Sequence, residues 1–169
     1  MALMQRLDRL ARNLTPLFLT LLLVLFSALP FYIPYFGQVS PSVALMATFY
    51  WAVYRPDLFP VSAVFVIGIW QDILTGMPVG VSAVILLLVH WTLLAQHRFF
   101  RNASFTVVWW AFILMAISAS LLEWLIISAL HATIVNPLPV FFQAAFTIFL
   151  FPFVNWLLAR IQQAILRPE

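Results

Sequence analysis

The chain has 169 residues, of which 65% are hydrophobic and 8% charged, with a mean hydropathy of +1.08. An ordinary soluble domain is about 45–50% apolar and about 25% charged, so a water-soluble fold of this size could not cover itself. The apolar runs are continuous, as from Leu17 to Phe26. That excludes an outer-membrane barrel, whose strands alternate polar and apolar residues. Cysteine is absent, which removes disulfides, thiolate metal sites and a cysteine nucleophile. The formal charge of +3 comes from eight arginines and no lysine against five acids. These arginines sit at segment ends, which makes them topology signals rather than nucleic-acid contacts. The class implied is an all-α integral membrane protein, one transmembrane domain filling residues 1–169.

In chain order, residues 1–13 place Leu3, Leu7 and Leu10 at helical spacing, continued by Leu14, with Arg6, Asp8, Arg9 and Arg12 on other faces. This predicts a short amphipathic helix suited to an anionic, cytoplasmic lipid surface, or simply the basic flank of helix one. Six apolar helices are predicted at about 14–33, 41–54, 59–74, 79–94, 105–130 and 139–160. The first is too long for a signal-peptide core and is followed by further spans, so it reads as retained. The second to fourth are short: at about 1.5 Å per residue they cover only about 21–24 Å of a roughly 30 Å core. Their ends extend into the turns, or the bilayer thins locally, or one pair is re-entrant and only four helices span.

The arginines separate these options. Arg6, Arg9 and Arg12 precede helix one, Arg55 lies between helices two and three, Arg98 and Arg101 between four and five, and Arg160 and Arg167 at the end. The other three connections carry no Arg or Lys. Six spans then put all eight arginines on one side, the cytoplasm, with both termini inside.

Ionisable groups at membrane depth are costly and are candidates for function. Asp72 lies near the outer end of helix three. Glu123 lies about 27 Å along helix five, and His131 closes that helix. His90 lies nearer the cytoplasm. Asp72, Glu123 and His131 are expected to share a depth. They serve as hydrogen-bonding glue between helices with Gln71 or Asn136, as a polar surface for a partner, or as a metal or acid–base site. No nucleophile with a base at recognisable spacing and no metal, phosphate-loop or haem motif is present, so no catalytic, cofactor or metal residue is assigned. Gly68 and Asp72 share one helix face, with glycine allowing close helix approach. Gly76, Pro78 and Gly80 predict a tight outer turn. Arg55-Pro56-Asp57 predicts a sharp inner turn whose exposed ion pair contributes little.

The stretch Phe49-Tyr-Trp-Ala-Val-Tyr-Arg55-Pro56, followed by Gly68, Asp72, Ile73, Leu74, Gly76 and Gly80, resembles the bacterial rod shape-determining protein MreD family. The resemblance is specific over Phe49–Gly80 and general elsewhere; Trp70 and Pro78 are not part of the family pattern. It implies a non-enzymatic inner-membrane component of the machinery that elongates peptidoglycan in rod-shaped cells. The partners implied are MreC, MreB filaments, RodA with its transpeptidase, and membrane lipids, with no nucleic acid and no cofactor. On this reading Asp72, Glu123, His131, Gly68, Gly76 and Gly80 serve a partner on the outer side, and Arg6, Arg9, Arg12 and Arg55 make cytoplasmic contacts. The family is also similar in architecture to substrate-binding subunits of energy-coupling-factor transporters. That leaves a second function open: a small-molecule transporter subunit with an outer cavity lined by Asp72, Glu123 and aromatic rings.

Overall fold

The computed structural model describes residues 1–29 and 40–165, and among them the secondary structure is helical throughout. Seven α-helices follow in order: α1 (Ala2–Ser27), α2 (Val43–Tyr54), α3 (Val61–Thr75), α4 (Val81–Ala95), the single turn α5 (His97–Phe100), α6 (Phe105–Leu130) and α7 (Leu138–Ile165). A 3-10 turn, Pro56–Leu58, links α2 to α3. α1, α6 and α7 are long and apolar enough to cross a membrane. α2, α3 and α4, at 12, 15 and 15 residues, are shorter apolar helices.

The first helix differs from its expected form. The amphipathic stretch and the first apolar segment are one uninterrupted helix from Ala2, because nothing between them breaks it. Pro16 is accommodated inside the helix, and Thr20 Oγ1 donates to the Pro16 carbonyl at 2.7 Å. The predicted end of this helix, residues 30–33, and Arg167 lie outside the described residues. α7 runs five residues beyond the expected end at Arg160, through Ile165, as its apolar pattern meets no glycine or proline there.

α2 is the hub. Every residue from Ala44 to Val53 is buried, which suits a helix apolar on all faces. Phe49 meets Phe112 of α6 and Phe151 of α7 edge-on, at 5.1 and 5.5 Å between ring centres. Those two rings stack on each other at 3.9 Å. The aromatic pair after Phe49 ties α2 to its neighbours through polar atoms. Tyr50 donates its hydroxyl to Gln162 Oε1 at 2.6 Å, and Trp51 Nε1 donates to Thr20 Oγ1 at 3.1 Å. A buried ring that carries one donor needs one acceptor, and each finds it on a different helix.

These contacts fix the directions of the helices. Thr20 in α1 meets the end of α2, as does Gln162 near the end of α7. Phe59, just before α3, meets His90 late in α4. Trp109 and Trp124 of α6 bond the carbonyls of Ile148 and Val135, so α6 and α7 run antiparallel. One end of the bundle therefore carries Arg55, α5 with Arg98 and Arg101, and Arg160, with Arg6, Arg9 and Arg12 on the free first half of α1. The opposite end carries the α3–α4 turn.

Candidate functional site

The hairpin of α3 and α4 is built from three glycines and one aspartate. A Cβ on Gly68 would lie 2.3 Å from the Cα of Ala83, so the two helices touch backbone to backbone. Gly76 ends α3 with a left-handed φ of +69°, which a side chain would resist. Its N–H bonds the Asp72 carbonyl, and Met77 N–H donates to the same oxygen at 3.1 Å. Gly80 then starts α4 at φ +108° and has no side chain to cap it.

Asp72 supplies the missing cap from the previous helix. It is fully buried. Its Oδ2 accepts the Gly80 N–H at 2.8 Å and its Oδ1 accepts the Ser82 N–H at 3.1 Å. Two of the orphan donors at the start of α4 are thereby satisfied, and a negative charge sits at the positive end of a helix dipole. One residue closes the hairpin with its main-chain carbonyl on one side and its carboxylate on the other.

Beside this clasp is a small polar cleft of about 20 Å³, room for one water-sized group. Five elements contribute to it: Ser42 ahead of α2, Gln71 on α3, Ser82 on α4, Ser120 and Glu123 on α6, and Gln143 and Thr147 on α7. Ser42 N–H donates to Thr147 Oγ1 at 3.0 Å, and that hydroxyl donates to the Gln143 carbonyl at 2.7 Å. Gln71 Oε1 is buried and has no hydrogen-bond partner. Glu123 is half-buried and lines the same cleft.

Of the residues singled out from sequence, Asp72, Gly68, Gly76 and Gly80 form the clasp and Glu123 lines the cleft. His131 joins neither: it is exposed just past α6, and its Nδ1 lies 2.9 Å from the Ile127 carbonyl of its own helix. Asn136 caps α7, its Oδ1 accepting from Leu138 N–H at 3.1 Å. At the other end, Arg55 and Asp57 pair at 3.4 Å in a partly solvated turn. Arg6, Arg9 and Arg12 are exposed, and beside them Leu3, Leu7, Leu10 and Leu14 are 55–75% exposed. Among the described residues no group of three or more His, Cys, Asp or Glu is placed to hold a metal.

Sequence reasoning did not select Ser42, Ser82, Ser120, Gln143 or Thr147. A signal existed in pairs: Ser120 with Glu123 at i,i+3, and Gln143 with Thr147 at i,i+4, each putting polar groups on one face of an apolar helix.

Fold and site together define a small helical membrane protein in which several polar groups hold helices to one another and a recessed polar cleft lies at one end. A family model described as rod shape-determining protein MreD matches residues 8–161, a span that includes the clasp and the cleft. The chain belongs to that family and is a rod-shape-determining membrane protein. No curated protein and no solved structure matches it.

Proposed function

We infer that the chain is a non-enzymatic scaffold of the cell-wall elongation machinery in the bacterial inner membrane. It acts by binding MreC, in a complex that includes MreB filaments and RodA with its transpeptidase. The observation that carries this reading is the family match over residues 8–161. In this reading the chain crosses the membrane six times with both ends in the cytoplasm, the arginine-bearing end facing in and the α3–α4 turn facing out. The three short helices cross where the bilayer thins or where their turns complete the span. The connections among described residues are short, too short for a domain on either side, so contact with other chains is the means of action. The exposed leucine and arginine faces of the first half of α1 suit a cytoplasmic lipid surface or a partner at that surface.

A second reading, a small-molecule transporter subunit, rests on the cleft lined by Glu123. Ligand sites for vitamin-sized molecules occupy about 300–1,000 Å³. A cleft of about 20 Å³ supports it poorly. Depletion of the protein is expected to turn rods into spheres, and MreC is expected to co-purify with it in constant ratio from native membranes. Cells that remain rods after depletion overturn the reading. A thermal shift with a vitamin-sized ligand revives the transporter.

A further inference from the structure

The cleft beside Asp72 holds an unanswered carboxylate. Glu123 has no cationic partner among the described residues, where the one ion pair is Arg55 with Asp57. Arg55, Arg98, Arg101 and Arg160 lie at the opposite end of the bundle. Residues 30–39, which join α1 to α2, contain no Arg, Lys or His. His131 is turned onto its own helix, and His90 lies beside Phe59 toward the arginine end. The other acid at this end, Asp72, has the same sign and is spent on the start of α4. The rest of the lining is neutral, its serine hydroxyls and glutamine amides able to donate or accept, and among them Gln71 Oε1 is a buried acceptor with no partner.

The cleft is also recessed. Glu123 lies seven residues before the end of α6 and Gln143 five residues inside α7, about 7–10 Å below the ends of these helices. An acid at that depth is costly until a donor meets it. The volume of about 20 Å³ sets the size of that donor. One compact ammonium on a flexible stem fits it. A lipid ammonium sits at headgroup level, above the cleft, while a lysine on a membrane-spanning helix can be presented at the right depth.

We propose that the cleft seats the ammonium of a lysine carried on a transmembrane helix of a second protein, with Glu123 and Gln71 Oε1 as its acceptors. The proposal rests on the reading of the chain as a scaffold for other membrane proteins. Buried pairing of this kind gives a helix–helix contact both depth and register, which apolar packing alone leaves loose.

The test uses the full chain in native membranes, with p-benzoylphenylalanine placed at Phe146, an exposed ring one turn from Gln143, and separately at Leu122 beside Glu123. Illumination is expected to join the chain to a second protein, at a transmembrane segment that holds a lysine within one turn of the adduct. Glu123→Gln is expected to lower the yield about tenfold or more, and Glu123→Asp to retain most of it. Should the Glu123→Gln chain melt early, replacing the mapped lysine by Gln in the partner gives the same readout on an intact scaffold. Adducts with lipid only, adducts with residues 30–39 of the same chain, no adduct from either position, or a yield indifferent to the removal of either charge each overturn the proposal. None of these results touches the scaffold reading, which stands or falls on cell shape after depletion.

Discussion

α3 is bounded by two turns that each contain a proline and each lean on an aspartate, Asp57 within the first and Asp72 in the last turn of α3 before the second, yet the two are held in opposite ways. At the arginine end, Asp57 is 64% exposed and meets Arg55 at 3.4 Å, a long contact between two solvated groups. At the other end, Asp72 is fully buried and accepts two backbone N–H bonds at 2.8 and 3.1 Å. The first turn is shaped by the backbone of Pro56, and its ion pair adds little. The second turn depends on its carboxylate, because Gly76 and Gly80 supply conformational freedom without any side chain to use up the free donors. The lesson is that an aspartate beside a turn matters according to the donors it covers, not the charge it carries.

The sharpest way to break the contrast is at Gly68. A methyl group there meets the Ala83 backbone at 2.3 Å, and no rotamer change relieves a backbone clash. Gly68→Ala is expected to cost about 3 kcal/mol or more by forcing α3 from α4. Intrinsic tryptophan fluorescence during heating in detergent measures the loss. A stability within about 0.5 kcal/mol of the parent would mean the two helices have slack that the structure denies.

Asp72 comes next. Asp72→Ala strips Gly80 and Ser82 of their acceptors inside the bundle and is expected to destabilise by about 2–4 kcal/mol. Asp72→Asn keeps the shape but can accept only one of the two N–H groups in the same geometry, so its loss is expected near half of that. Equal losses for the two variants would show that the cap works by charge at the helix dipole rather than by directed bonds.

How legible these regions were in the sequence differs for physical reasons. α6 spans Phe105–Leu130, where a helix over about 105–130 is expected, because Ser104 ahead of it and His131 behind it bracket an unbroken apolar run. The glycine spacing and Asp72 point to a hairpin because turn chemistry is local. That Asp72 caps the following helix is not visible, since its donors lie eight and ten residues further on, across a turn whose geometry sets the contact. The cleft is less visible still. Ser42, Gln71, Ser82, Gln143 and Thr147 come from separate elements, and no spacing along the chain unites them. α1 misleads in the other direction: a polar, basic stretch over residues 1–13 followed by an apolar run reads as two pieces. Yet the helix runs on through their junction and carries Pro16 in its interior, with the Thr15 and Thr20 hydroxyls bonded to the Ala11 and Pro16 carbonyls.

The smallest effect belongs to Asp57, and it closes the comparison. An exposed pair at 3.4 Å is screened by salt and costs side-chain entropy to hold, so its contribution is about 0–1 kcal/mol. Asp57→Ala is therefore expected to shift stability by no more than about 0.5 kcal/mol, less as salt is raised. The bend itself persists, because Pro56 and the N–H bonds from Leu58 to the Arg55 carbonyl and from Phe59 to the Pro56 carbonyl do not involve the side chain. A loss comparable to that of Asp72→Ala, measured in the same melts, would show that the arginine end is clasped too. The two turns would then differ in exposure but not in mechanism. A negligible loss, by contrast, leaves Arg55 free of a structural duty and available as a charge that keeps this end on its side of the membrane.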